Sequence, residues 1–296
     1  MESKETNKGI LIAFVGALLI TPDTLFMRLS LMDVWTMLFW RGIQMGIVLL
    51  SITICIEEYR KKFKLIFTKT GICIILSQAI GGIFFTYGVA TSSVALILLC
   101  IATSPLFASL FSYLLLKEKI KSSTIYASLF VILGITISVL DVQNAQNTPD
   151  GNYVFGLLCG LITASTLGIN FVLLRSKPSI PAIGATGFGA LLTGLIGALL
   201  VQKTNIFLGD FLAISISGLI ILPLSFAALT YATRYTQAAN VSLLLLLETI
   251  LGPFWVWVII DETPTLQMVF GGVIVIITLL IYFLHDNYKN KKPYQT

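Results

Sequence analysis

Residues 87–123 read YGVATSSVALILLCIATSPLFASLFSYLLLKEKIKSS, and residues 231–267 read YATRYTQAANVSLLLLLETILGPFWVWVIIDETPTLQ. In each segment an apolar run ends in a short turn that carries an acidic residue, and the chain then enters another apolar run. At a constant offset of 144, like residues coincide in the pairs Tyr87 and Tyr231, Ala95 and Ala239, and Glu118 and Glu262. The two segments therefore predict an internal repeat of membrane-spanning helices.

The rest of the chain has the same apolar character. Hydrophobic residues make up 56% of the sequence and charged residues 11%, which leaves too few polar side chains to cover a water-soluble protein. Apolar runs of about 20 residues fit helices that cross roughly 30 Å of hydrocarbon. We predict an all-α membrane protein with ten transmembrane helices, at residues 9–27, 35–56, 71–90, 93–115, 123–140, 153–174, 183–201, 211–231, 238–259 and 265–284.

The basic residues predict the orientation of these helices. If the N-terminus is cytoplasmic, sixteen of the nineteen lysines and arginines fall on the cytoplasmic side of the membrane. Because cytoplasmic loops of membrane proteins carry an excess of Lys and Arg, both termini are predicted to be cytoplasmic. The same rule accounts for the net charge of +5, so we expect no nucleic-acid partner.

The predicted halves differ in their direction through the membrane. With five spans in each half, an odd number, the second copy enters the membrane upside down relative to the first. The turn around Glu118 carries three lysines and the turn around Glu262 carries none, which agrees with this inversion. We divide the single membrane domain into a first five-helix repeat, residues 1–145, and an inverted second repeat, residues 146–296. Inverted repeats are typical of transporters, because two similar halves that exchange conformations convert an outward-open state into an inward-open one.

Several motifs resemble those of a known group of transporters. They are FWRG at 39–42, the stretch from Tyr87 through Ser104-Pro105 to Glu118, LLLLLETILGP at 243–253 and IIDETPT at 259–265. On these residues the chain resembles the drug/metabolite transporter superfamily, specifically its EamA-type ten-helix members. The resemblance implies two inverted five-helix bundles around a central cavity, and export or exchange of amino acids, amines or other metabolites. We place the protein in the inner membrane of a bacterium, in contact with the lipid bilayer.

Among the ionisable residues predicted to lie within spans, Glu248 is the deepest carboxylate. It lies about ten residues into the ninth span, which corresponds to a depth of roughly 15 Å. An ionised carboxylate at that depth is costly unless it is paired. We therefore propose Glu248 as a group that binds a proton or a substrate ammonium, with a structural carboxyl that bonds across helices as the alternative.

Asp23 and Arg41 form a second candidate site. Their depths below the predicted outer surface nearly match, at roughly 7 Å and 9 Å by helical rise, so an ion pair between them is expected. Such a pair could act as an outer gate or simply tie two helices together. A third possibility is that Arg41 binds a substrate carboxylate, since its planar guanidinium fits that group.

Polar and aromatic residues within spans tend to face a cavity or another helix. The uncharged candidates for the binding site are Trp40, Gln78, Tyr87, Thr103, Ser104, Asn170, Tyr231 and Asn240. The repeat mates Tyr87 and Tyr231 could frame the site from opposite halves or could serve as interface anchors.

Prolines and small residues divide the helices into two predicted groups. Prolines 22, 105, 223 and 253 interrupt the first, fourth, eighth and ninth spans, which we therefore predict to line the cavity. The small residues of the sixth and seventh spans, at spacing four, predict a scaffold of closely packed helices. We expect these ridges to pack within a monomer, with a homodimer as the alternative.

The sequence favours a secondary transporter of a small molecule, with protons as a candidate coupling ion, over a passive channel or a membrane enzyme. The one histidine is His285 in the C-terminal tail, and the chain has no P-loop, so we expect no catalytic residue, metal or cofactor. Glu262 is predicted to be structural, beside a helix that Thr263 caps and Pro264 begins.

Overall fold

The computed structural model of the chain describes residues 2–117, 122–140, 153–202, 206–236 and 238–291. Within these residues the secondary structure is helical, without a strand. Eight segments in them are long and apolar enough to cross a membrane: Asn7–Leu29, Val34–Cys55, Lys69–Thr91, Val94–Leu116, Val154–Ser176, Ala182–Leu200, Phe211–Ala232 and Asn240–Ile260. The all-helical membrane class is therefore confirmed. Glu118 lies outside the described residues.

The helices of the first predicted half are α1 (Glu2–Ile20), α2 (Asp23–Leu29), α3 (Val34–Cys55), α4 (Glu57–Lys61), α5 (Lys69–Thr91), α6 (Val94–Ile101), α7 (Ser104–Leu116) and α8 (Ser122–Leu140), with a 3₁₀ turn at Phe63–Phe67. Those of the second are α9 (Tyr153–Ser176), α10 (Ala182–Leu200), α11 (Phe211–Ser215), α12 (Leu222–Ala232), α13 (Ala238–Leu244), α14 (Leu246–Ile260) and α15 (Leu266–Lys291), with a π-helix at Ile216–Ile221.

The major helix contacts join the two predicted halves. Helix α3 packs along α10, α5 along α9, α1 along α12, and α8 along α15. Small residues permit the closest of these approaches, since a Cβ added at Gly42 of α3 would lie 2.3 Å from the backbone N of Gly194 in α10. Gly160 of α9 likewise meets Cys100 of α6. The small-residue ridges thus pack within the monomer, as predicted.

Proline accounts for most of the breaks in the spanning helices. Pro105 has no N–H to bond the carbonyl of Ile101, and α6 ends at that residue. Pro22 lies in the turn between α1 and α2. Pro223 follows the π-helix in the eighth of the ten predicted spans, residues 211–231. Pro253 behaves differently, because α14 continues through it and the ninth span is interrupted at Leu245 instead.

The turns that close the two hairpins share one backbone conformation. Lys117 ends α7 with φ +56°, and Asp261 ends α14 with φ +60°, both in the left-handed region. These residues are separated by the repeat offset of 144. The expected cap at Thr263 is wrong: α15 begins at Leu266, and its first turn is capped by Thr265, whose hydroxyl accepts from the Met268 N–H at 3.2 Å.

Candidate functional site

A cavity with a mainly apolar lining and a few polar side chains lies between the predicted halves of the bundle. The space between its lining atoms amounts to about 850 Å³, a volume that includes open solvent at its mouth. Of the predicted site residues, the cavity brings together Asp23, Arg41, Gln78, Asn170 and Glu248. They come from α2, α3, α5, α9 and α14, so the polar lining is assembled from both halves of the chain.

The predicted ion pair between Asp23 and Arg41 is present. Arg41 Nη2 donates to Asp23 Oδ2 at 2.7 Å, and both side chains are buried. The second carboxylate oxygen of Asp23 accepts from the hydroxyl of Ser217 at 2.6 Å. Because Ser217 belongs to the π-helix of the eighth span, Asp23 links the two halves of the chain at the cavity wall.

The guanidinium of Arg41 is only partly satisfied by these contacts. Its Cζ lies 5.6 Å from the centroid of the Phe85 ring, which covers one side of the group. Its Nη1 is buried and has no hydrogen-bond acceptor among the described residues. A buried donor without a partner costs about 1–3 kcal/mol, so this atom marks a place where an acceptor would bind favourably.

Glu248 lies on the cavity wall and forms no ion pair with any of the described residues. It is buried, and no basic side chain of the described residues is within ion-pair distance of its carboxylate. The break at Leu245 places Glu248 in the first turn of α14, where the positive end of the helix dipole favours a negative charge. The next residue, Thr249, fixes this turn to the first half through a bond of 3.2 Å from its hydroxyl to the Leu98 carbonyl.

Gln78 and Asn170 form a neutral polar pair across the cavity. Asn170 Nδ2 donates to Gln78 Oε1 at 3.2 Å, joining α9 to α5. The Oδ1 of Asn170 is buried without a donor among the described residues, so it is free to accept from a ligand.

Six of the predicted site residues do not line the cavity. Trp40 donates to the Ile206 carbonyl at 2.7 Å, and Thr103 donates to the Cys100 carbonyl at 2.7 Å. Ser104 is fully buried in the first turn of α7. The remaining three contact other side chains: Tyr87 packs on Trp35 and Phe155, Tyr231 bonds Tyr235 at 2.8 Å, and Asn240 bonds Thr236 at 2.9 Å.

Conversely, the cavity uses residues that the sequence did not single out. The sixth and seventh spans contribute Thr163, Thr166 and Thr193, and the second and third spans supply much of the remaining lining, whereas the fourth span contributes only Ile101. The prediction that the four proline-containing spans form the lining and the other spans are scaffold is therefore wrong in part. Threonines in apolar helices give little signal, because many of them bond a carbonyl of their own helix, as Thr163 bonds Cys159 at 2.8 Å.

An ion pair closes the bundle at the predicted outer end, on the far side of Asp23 along α2. Arg28 Nε lies 3.0 Å from Glu262 Oε2, and Arg28 Nη2 lies 3.2 Å from Glu262 Oε1. Arg28 also donates to the Ser92 carbonyl at 2.8 Å, and Glu262 accepts from the Val94 N–H at 3.2 Å. We call this cluster the outer lock. Glu262 was predicted to lie beside the helix that follows it, but it caps α6 in the other half instead.

An aromatic and cationic cluster joins the halves at the predicted cytoplasmic end. The guanidinium carbon of Arg234 lies 5.4 Å from the ring centroid of Tyr59 and 5.6 Å from that of Tyr231. Burial raises the pKa of Tyr59, so its ring stays neutral against the cation. Lys8 lies 5.1 Å from the ring centroid of Tyr235. The cavity thus lies between two sets of contacts that link the halves.

These features define a class: a multi-pass helical membrane protein with a buried, charged cavity between contacts that join its halves at both ends. Comparison with known proteins identifies the family. The model of the EamA-like transporter family matches residues 7–140 and again residues 154–284, and the chain belongs to this family.

Individual relatives agree with that assignment. The chain is 26% identical to the uncharacterized transporter YdfC of Bacillus subtilis (strain 168) over 216 residues, covering 71% of this chain and 69% of YdfC. It is also 26% identical to an uncharacterized transporter of Clostridium kluyveri over 246 residues, covering 78% of this chain and 76% of that one. A solved crystal structure superposes with a TM-score of 0.66 over 96% of this chain and 99% of the other, at 15% identity, which shows a shared fold. The expected family and a role in membrane transport are therefore confirmed.

Proposed function

We propose that this protein is a secondary transporter that exports or exchanges a small organic metabolite, such as an amino acid or an amine, across a bacterial inner membrane. The observation that carries the proposal is the buried cavity between the halves, lined by Asp23, Arg41 and Glu248. Charged side chains within apolar spans are costly and mark the path of a polar substrate or ion.

The proposed architecture is ten transmembrane helices in two inverted repeats, residues 1–145 and 146–296, with both termini cytoplasmic. Helices α8 and α15 supply the fifth and tenth spans. The family model matches the chain twice, once in each proposed repeat. The turn residues Lys117 and Asp261 share a left-handed conformation at the repeat offset.

The packing of the helices supports the same symmetry. If the two halves are exchanged, the third span (α5) takes the place of the eighth (α12), and the sixth span (α9) takes the place of the first (α1). The contact of α5 with α9 then corresponds to the contact of α12 with α1, which is also present. The same exchange maps the α3–α10 contact and the α8–α15 contact onto themselves. Two halves related in this way can exchange conformations and expose the cavity alternately to the two sides.

The two end contacts favour alternating access over a passive channel. The outer lock and the cluster of Arg234 with Tyr59 and Tyr231 each join the halves at one end. A transporter that opens one end at a time must break one set of contacts while it keeps the other.

Glu248 is the proposed proton or cation site within this mechanism. Among the described residues that line the cavity, two carboxylates face one basic group, and Asp23 is already paired with Arg41. An ionised Glu248 therefore leaves one negative charge in a buried site, and a proton or a substrate ammonium would neutralise it. Because a proton and a substrate ammonium would bind to the same carboxylate, binding of one displaces the other, and this competition couples proton movement to transport.

We expect Glu248→Gln to abolish the proton dependence of transport while the protein stays folded. The assay is uptake or counterflow in proteoliposomes with and without an imposed pH gradient, with the midpoint of thermal denaturation as the control for folding. Glu57→Gln is a matched control, because Glu57 forms an exposed ion pair with Lys61 outside the spans. Unchanged gradient dependence in Glu248→Gln would reject the coupling role.

A further inference from the structure

We propose that Arg41 is the residue that determines specificity in the cavity, and that the transported compound carries a carboxylate which Arg41 binds through Nη1. This inference rests on the proposed transport function, and it narrows the substrate class from amines and amino acids to compounds with an acidic group.

The geometry around Arg41 separates its two terminal nitrogens. Nη2 is held by Asp23 at 2.7 Å, and Asp23 is held in turn by Ser217 at 2.6 Å. With both carboxylate oxygens occupied, Asp23 is a positioning residue that fixes the guanidinium against Phe85. Nη1 remains as a buried donor with no acceptor among the described residues, on a side chain that lines the cavity.

A carboxylate is the acceptor that this site fits best. Hydrogen bonds from a guanidinium to an ionised oxygen are roughly twice as strong as those between neutral groups. A phosphate dianion fits poorly, since it would bring two further negative charges into a cavity that already holds Asp23 and Glu248. A single carboxylate adds one negative charge to a lining that already carries one in excess when Glu248 is ionised, so a proton on Glu248 and a cationic group of the same compound together make the filled cavity neutral.

Two other polar groups of the cavity lining can accept a hydrogen bond from a substrate. Asn170 Oδ1 is buried without a donor among the described residues, and the carboxylate of Glu248 has no basic partner among them. An N–H group of the substrate would satisfy both. A compound that satisfies these three groups therefore presents a carboxylate to Arg41 and N–H donors to Asn170 and Glu248.

The test uses matched triplets of compounds that share one side chain: a 2-amino acid, the amine left after decarboxylation, and the carboxylic acid without the amino group. Binding to the purified protein is measured as a shift in the midpoint of thermal denaturation, and movement is measured as counterflow in proteoliposomes. We expect stabilisation by members that carry a carboxylate and none by the matched amines.

Two variants locate the effect at Arg41. Arg41→Lys keeps a cation beside Asp23 but loses Nη1, and the double variant Asp23→Asn/Arg41→Gln removes both charges of the pair together, so that neither is left without its partner. In each, affinity for carboxylate compounds should fall about tenfold to 150-fold. The matched control is Glu57→Gln/Lys61→Gln, which neutralises an exposed carboxylate–cation pair and should bind as the wild type does.

The outcomes separate this inference from the proposed function. If the protein transports amines but no compound with a carboxylate, this inference is overturned and the proposed transport function stands. Wild-type affinity for carboxylates in both variants, or a panel in which no carboxylate compound stabilises the protein, would also overturn it. Binding of carboxylates that never move down or against a gradient would support the inference and reject the transport function.

Discussion

Replacement of Glu262 by Gln should shift the protein toward a state that is open at the predicted outer end. The variant loses the ion pair with Arg28 but retains an oxygen that can accept from the Val94 N–H. In the outer lock the side chains of Arg28 and Glu262 are 15% and 18% exposed. The pair therefore lies between an exposed one, worth about 0–1 kcal/mol, and a buried one, whose breakage costs about 3–5 kcal/mol.

For a pair of this intermediate exposure, we expect Glu262→Gln to remove about 1–3 kcal/mol of the free energy that favours the closed state. This corresponds to a shift of roughly 5-fold to 150-fold in the equilibrium between closed and open states. Cys159 reports this opening. It is fully buried in the same hydrophobic cluster as Val94, beneath the lock. With the other three cysteines replaced by alanine, the rate of its alkylation by a maleimide should rise by that factor in Glu262→Gln.

Controls distinguish opening from unfolding. Arg28→Gln should raise the rate at least as much, because it also loses the bond to the Ser92 carbonyl. The double variant should add little to Arg28→Gln, because both substitutions break the same ion pair. Glu57→Gln, which breaks an exposed pair with Lys61 away from the lock, should leave the rate unchanged. The reasoning is refuted if Cys159 in Glu262→Gln reacts at the wild-type rate, or if both lock variants raise it only through a lower midpoint of thermal denaturation.

Two further predictions concern stability, measured as thermal denaturation in detergent. Gly42→Ala should lower the free energy of unfolding by about 1–3 kcal/mol or more, because the new Cβ overpacks against the backbone of Gly194. Gly272→Ala should not destabilise the fold, because a new Cβ there meets no atom within 4 Å, and equal effects would contradict the close approach of α3 and α10. Ser217→Ala should lower the free energy of unfolding by about 1–3 kcal/mol, because it leaves a buried oxygen of Asp23 without its donor. Ser225→Ala should lower it less, because it removes only a bond of 2.6 Å to a carbonyl of the same span, and the reverse order would refute the role of Ser217.

The depth of a residue could be read from the sequence, whereas the direction of its side chain could not. Helical rise converts position into depth, which is why the Asp23–Arg41 pair was predictable. Trp40 and Arg41 are neighbours at nearly equal depth, yet Arg41 lines the cavity and Trp40 bonds the Ile206 carbonyl. Which of them faces inward depends on the rotation of α3 against α10, and that rotation is set by the packing of Gly42 on Gly194.

Contacts that depend on irregular backbone were also beyond the sequence. Ser217 reaches Asp23 from a π-helix, whose register differs from that of the α-helix assumed in a periodicity argument. Glu262 was placed beside its own following helix because capping is normally local. Its observed partner, Val94, is 168 residues away in the chain, and such a separation leaves no local signal.

That separation has a consequence for biogenesis. Helix α6 is made early, but the side chain that satisfies the Val94 N–H is synthesised only after the ninth span. Until then this end of α6 lacks its acceptor at the rim of the bilayer, where an unmet backbone donor is costly. The first half can thus insert into the membrane during translation, but the N-terminus of α6 is capped by Glu262 only after most of the chain has been synthesised.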